Sequence, residues 1–172
     1  MMMIKTARRS LLALTLCAAP AFAAPVLTTE GGIEHRADVS LDLANQLLDA
    51  TMAACHADGR TAVAAVVDRG GNLVALQRDD NVGPHNTLAA QRKAFTSLST
   101  KTTSRKLSEI ARNNPESENL NTLDELLLLG GGVPLKVGDQ VIGAIGVAGA
   151  GGAAIDEGCA LQAIDSVLPK TL

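Results

Sequence analysis

The segment from Val141 to Ala148 limits the fold more than any other stretch of the chain. Read as a strand, it places Val141, Gly143, Ile145 and Val147 on one face and Ile142, Ala144, Gly146 and Ala148 on the other, since side chains alternate along a strand. A face so short of bulk lets something approach the backbone closely. A neighbouring helix or a partner subunit is favoured over a ligand in that place. Upstream, Val133 to Val137 and a Gly138-Asp139 turn make the segment the second arm of a hairpin, the strongest turn signal in the chain. The sheet is therefore antiparallel where this strand joins it.

Other elements follow from period and punctuation. Leu41, Ala44, Leu47, Leu48, Met52 and Cys55 recur at helical spacing between an N-cap at Ser40 and a stop at Gly59. Thr61 to Val67, a turn over Asp68 to Asn72, and Leu73 to Arg78 form a first hairpin. Its first arm is apolar on both faces, so the sheet is expected to be covered on both sides. Helices are expected over about Thr87–Thr100, Ser104–Asn113 and Ala154–Leu168, with Asp79 to Asn86 and Asn114 to Asn121 as polar loops. Leu123 to Leu129 fits a short helical turn leading into a strand. The order α-β-β-α-α-β-β-β-α describes one α/β (α+β) domain with about five antiparallel strands and helices on both faces.

Composition removes whole classes of function. Hydrophobic residues are 47% of the 172 and charged ones 19%, which is a globular balance. The chain has no Trp, no Tyr and two Phe, so it lacks the aromatic faces on which single-stranded nucleic acid stacks. A formal net charge of -3 speaks against a phosphate-tracking surface as well, so no nucleic-acid partner is expected.

Residues 1–23 read as a secretory signal: Lys5, Arg8 and Arg9, an apolar run from Leu11 to Ala19, and Ala21-Phe22-Ala23 before a mature start at Ala24. The run is too short to span a bilayer, and Leu16 before Cys17 does not suit lipid attachment, so no stable membrane anchor is expected. Arg8-Arg9-Ser10-Leu11-Leu12 also matches a twin-arginine signal loosely, leaving the export route open. The expected domain, 24–172, is secreted or periplasmic and carries a net charge of -6. It keeps Phe95 as its one aromatic residue, read as core, and Cys55 and Cys159 as its cysteines. These two form either a disulfide or two buried thiols.

Motifs are sparse. Gly149-Ala150-Gly151-Gly152-Ala153-Ala154 fits G-x-G-x-x-A between a strand and a helix, yet no second parallel strand follows, so dinucleotide binding is rejected. A Gly-rich helix start can still hold an anion, but Asp156-Glu157 beside it weakens that reading and suits the helix dipole instead. His35, His56 and His85 form no zinc-type pair. His85 stands apart because Gly83-Pro84 presents it just before a helix, where it could act as ligand or general base. Lys93 either anchors an anionic ligand or solvates one helix face. Arg78 lies near the same loop, and convergence of Arg78, His85 and Lys93 is one basis for an enzymatic alternative. A structural oligomer without ligand is the other alternative, drawn from the small-residue strand face.

Three groups of segments carry a resemblance. Val66-Val67-Asp68-Arg69-Gly70-Gly71-Asn72-Leu73-Val74 with Gln77-Arg78-Asp79-Asp80 resembles the first hairpin of the GlcG/HbpS family of haem-binding proteins. Gly83-Pro84-His85 with Arg92-Lys93-Ala94-Phe95-Thr96 resembles its central helix entry. Gly131 to Leu135, Val141 to Val147 and Asp156 to Ala160 resemble its C-terminal half. The resemblance spans about residues 40–168. It implies a profilin-like α-β-α sandwich, a homo-oligomer, and haem or a related tetrapyrrole such as a corrinoid as ligand. It also implies roles in haem or iron handling with a sensor or transport partner, and a binding protein is favoured over the alternative, an enzyme acting on haem or a small hydroxy-carboxylate. No axial ligand transfers by motif; His85 is chosen on chemistry, as imidazole is a usual haem-iron ligand, with Lys93 and Arg78 as further binding residues. The family's Asp/Glu-x-x-Glu iron motif is absent here.

Overall fold

Ser40 caps the first helix as its position predicts: its hydroxyl accepts from the Leu43 N–H at 3.2 Å, satisfying one of the helix's orphan donors. The computed structural model describes residues 32–171, so the segment read as an export signal lies outside the described residues. From Arg36 onward the chain forms one compact unit. Its elements are α1 (Leu41–Ala57), β1 (Val63–Asp68), β2 (Leu73–Arg78), α2 (His85–Thr100), α3 (Ser104–Asn113), α4 (Pro115–Glu118), a 3-10 turn (Asn119–Thr122), β3 (Gly132–Val137), β4 (Gln140–Ala148) and α5 (Ala153–Val167).

The sheet has four antiparallel strands in the order β2-β1-β4-β3, one fewer than expected. The missing strand is Leu123 to Leu129, whose backbone finds side-chain partners instead of a ladder. The Leu126 carbonyl accepts from Arg92 Nη2 (2.7 Å), the Leu127 N–H donates to Thr96 Oγ1 (2.8 Å), and the Leu129 carbonyl accepts from Ser104 Oγ (2.7 Å). Backbone groups so satisfied have no need of a sheet. The polar stretch after α3, expected as loop, contains α4 and the 3-10 turn; Asn114 Oδ1 accepts from Glu116 N–H at its start.

Alternation along β1 divides the core. Ala64 and Val66 face α1 and α5 together with Leu47, Leu48, Ile145 and Val147. Val63 and Ala65 face α2 through Ala90, and Val67 does so through Ala94. Both faces are covered, completing the α-β-α sandwich. On the α1/α5 side, Cys55 and Cys159 are joined in a disulfide, their Cα atoms 5.4 Å apart.

Helix α2 is what approaches the small-residue face of β4. A Cβ added to Gly146 would fall on the Ala90 carbonyl oxygen and within 2.6 Å of the Ala94 nitrogen, and one on Gly132 would fall on the Lys93 carbonyl. Ile142 departs from the expected face. Leu135 pairs with Gly143 and Lys136 with Val141, so Ile142 is the extra residue of a bulge and turns into the core with Val39. Gly146→Ala should destabilise the fold by about 1–3 kcal/mol, because the obstacle is helix backbone and no rotamer relieves it. Urea unfolding checks this; an unchanged midpoint would mean that α2 rides freely over β4.

Candidate functional site

Helix α2 begins two residues earlier than expected, so His85 is its first residue and stands exposed at the head of the helix. Its imidazole lies over Gly83, where a Cβ would come within 3.0 Å of Cε1. Arg78, at the end of β2, holds the loop that leads to it. Arg78 Nη1 donates to Thr87 Oγ1 (3.1 Å) and the Gly83 carbonyl (3.4 Å), and Nη2 donates to the Val82 carbonyl. Arg78 thus positions His85 from behind, its guanidinium directed at the loop backbone.

Lys93 is placed apart from these two. It is 1% exposed, on the sheet-facing side of α2, in space left by the absent side chain of Gly131. Its Nζ donates to Asp156 Oδ2 at 2.7 Å and to the Val147 carbonyl at 2.9 Å. The convergence expected of these three residues is thus confined to His85 and Arg78, and Lys93 is committed to the interior. Asp156 Oδ1 also accepts the Ala150 N–H (2.9 Å). The Gly-rich loop that could have held a foreign anion therefore holds the chain's own carboxylate. Glu157 is equally engaged, taking Arg105 Nε at 2.7 Å and Nη2 at 3.2 Å. That hydrogen bond, with the charge of Glu157, lifts the Arg105 pKa above its ordinary value. His56 pairs instead with Asp79, its Nε2 2.9 and 3.0 Å from the two oxygens.

Beyond His85, α2 shows a solvent-facing stripe at three- and four-residue spacing: Leu88, Arg92, Phe95 and Ser99. Beside it lies a recess of about 220 Å³ walled by Val67, Gly71, Leu73, Leu88, Arg92 and Phe95. Leu88 is 59% and Leu73 47% exposed, which is unusual for two leucines side by side on one flank. Phe95, expected in the core, is half-buried and forms a wall of this recess. Its ring takes the room of a missing side chain at Gly71, where a Cβ would come within 2.8 Å of Cε2. Arg92 reaches the recess from α2 while its Nη2 is bound to Leu126, and its Nε is buried without a hydrogen-bond partner among the described residues. Sequence reasoning missed Arg92 as a site residue; its i+7 spacing from His85 was the available signal. Among the described residues no group of three or more His, Cys, Asp or Glu could hold a metal ion, and no helix is long and apolar enough to cross a membrane.

The fold and site define a class: an α-β-α sandwich with an antiparallel sheet, a histidine at the head of its central helix and an open apolar recess along that helix. Within that class the chain belongs to the HbpS-like family, described as "Haem degrading protein HbpS-like", which it matches over residues 39–165. It is similar to a double mutant of HbpS from Streptomyces reticuli, with 32% identity, a TM-score of 0.75, and coverage of 86% of this chain and 99% of that one. Protein GlcG of Escherichia coli K12 is 37% identical over 83 residues, which is 48% of this chain and 60% of GlcG, so the match spans about three-fifths of that relative. A PduOC–haem complex shares the fold at 22% identity and a TM-score of 0.69, covering 78% of this chain and 99% of that one.

Proposed function

We propose that the protein binds haem on the exposed flank of α2, with His85 as the ligand to iron, and that it sequesters haem or presents it to a partner. The observation that carries this reading is an exposed imidazole one helical turn from an apolar recess, in a chain that belongs to the HbpS-like family. The residues fit the group. A neutral imidazole supplies the iron ligand, and Leu73, Leu88 and Phe95 supply apolar surface for a flat macrocycle. Structural support comes from PduOC, which has this fold and was crystallised with haem. Export through the 1–23 segment, a homo-oligomeric state, and hand-over to a sensor or transport partner belong to the same proposal.

Titration of the protein with hemin is expected to shift the Soret band. His85→Ala should weaken binding about tenfold or more and alter the band's position, because the iron loses its imidazole. No shift with the unsubstituted protein would overturn the reading. The family's description favours a second reading, haem degradation. Incubating the hemin-loaded protein with ascorbate and oxygen separates the two: loss of the Soret band that depends on His85 is turnover, and a stable band is binding alone.

A further inference from the structure

We propose that Arg92 reads the acid of the ligand on this flank. The bound molecule is then an apolar body with a free carboxylate. Its body lies against Leu73, Leu88 and Phe95, and its acid meets the open edge of the Arg92 guanidinium. The inference rests on the haem reading for the identity of that body, and goes beyond it by requiring a carboxylate and naming its partner.

The first support is position. Arg92 is seven residues beyond His85, two turns along the same face of α2 and about 10 Å of rise. Leu88 lies between them, and both Leu88 and Arg92 wall the apolar recess. A porphyrin has its metal at the centre and its acids at one edge, a comparable distance away. A ligand that meets His85 and covers Leu88 therefore has Arg92 within reach of its acids.

The second support is electrostatic. Lys93 has Asp156 at 2.7 Å and Arg105 has Glu157 at 2.7 Å, whereas Arg92, half-buried, has only a carbonyl. Its Nη2 is anchored on Leu126 at 2.7 Å. Its Nε is buried without a partner, and its Nη1 makes no hydrogen bond among the described residues. A cation partly withdrawn from water and met by one carbonyl is under-compensated. A planar fork held at one corner is also pre-organised for a carboxylate. Glu125 is the one acidic residue lining the recess; it is exposed and forms no ion pair with Arg92. Its charge opposes an incoming carboxylate, which makes it a control.

The full-length protein and its variants are titrated with hemin, with hemin dimethyl ester, whose acids are masked, and with octanoate, an apolar acid without a metal. The unsubstituted protein is expected to bind hemin about tenfold more tightly than the ester, as one charge-assisted hydrogen bond would give. In Arg92→Gln that ratio should fall towards one, and Arg92→Lys should keep part of it. Glu125→Gln should raise the ratio about twofold or more, since a like charge is removed. Thr96→Val deprives the Leu127 N–H of its acceptor and loosens that segment without touching the charge, so its ratio should stay near tenfold. His85→Ala should weaken both porphyrins alike. A ratio near one in the unsubstituted protein, unchanged in Arg92→Gln, or lowered as far in Thr96→Val overturns the role of Arg92 and leaves the haem reading intact. Should Arg92→Gln fail to fold, Glu125→Gln decides: a raised ratio supports the proposal and an unchanged one overturns it. If neither porphyrin binds, the haem reading fails and octanoate decides the rest. Octanoate binding that is lost in Arg92→Gln keeps the site for a separate apolar acid. No octanoate binding, or binding indifferent to Arg92, overturns it.

Discussion

Replacing Lys93 with methionine is expected to cost about 3–5 kcal/mol of folding stability, the usual result of removing one partner from a buried ion pair. The size follows from what is left behind. Asp156 is 3% exposed and Lys93 1%, so water cannot take over from the ammonium without opening the junction of α2, β4 and α5. Methionine matches the bulk and isolates the electrostatic part. The double variant Lys93→Met/Asp156→Asn should recover at least about 2 kcal/mol of the loss, since the asparagine oxygen can still accept the Ala150 N–H and no charge is stranded. Chemical denaturation of the two singles and the double gives the cycle. A loss below about 1 kcal/mol in Lys93→Met would show that the pair contributes nothing as a pair. A recess-facing role for Lys93 predicts the reverse pattern, with stability unchanged and hemin binding weakened.

Removal of the Cys55–Cys159 bridge is the second large effect. It closes a loop over a sequence separation of 104, and the chain-entropy account gives about 4.7 kcal/mol for a loop near that length. Because that account acts on the unfolded chain, Cys55→Ala/Cys159→Ala should lower the urea midpoint and raise the m-value together. A lowered midpoint at constant m would place the loss in the folded core instead. Both cysteines are at most 4% exposed, so a mild reductant should act no faster than the protein unfolds. Single domains hold only about 5–15 kcal/mol in total. A chain lacking both the bridge and Lys93 should therefore fail to fold.

The sandwich was legible wherever local chemistry and tertiary packing agree. Ser40 caps α1, the first hairpin turns at Gly70-Gly71, and β1 is apolar on both faces because both are covered. The reading failed where distant side chains decide. Arg92, Thr96 and Ser104 take the backbone partners that a strand at Leu123–Leu129 would have used, and no pattern within that segment announces it. A bulge at Ile142 reverses one residue's face, which strict alternation cannot foresee. At the site, the Gly83-Pro84-His85 step was informative because punctuation before a helix presents its first side chain outward. Lys93 was not, since a lysine among alanines reads as solvated unless the aspartate that neutralises it, 63 positions away, is known to be opposite. Phe95 misled for a related reason: its partner is the empty space at Gly71.

The strand order has a consequence in time. The two central strands, β1 and β4, pair Val63 with Ala148 and Asp68 with Gly143, so about eighty residues separate the halves of the sheet's middle. A ribosome adding roughly 5–20 residues per second delivers β4 about 4–16 s after β1, whereas a hairpin such as β1–β2 closes in about 1–10 μs. For those seconds the nascent hairpin holds an apolar strand whose second edge is open; α1 is already made and α2 joins part-way, but β4 and α5 are still to come. It is then a ready template for pairing with the same strand of a neighbouring chain. The interval before Gly143 to Ala148 emerges is when this protein depends most on a chaperone, and slowing synthesis between residues 68 and 143 should lower its soluble yield.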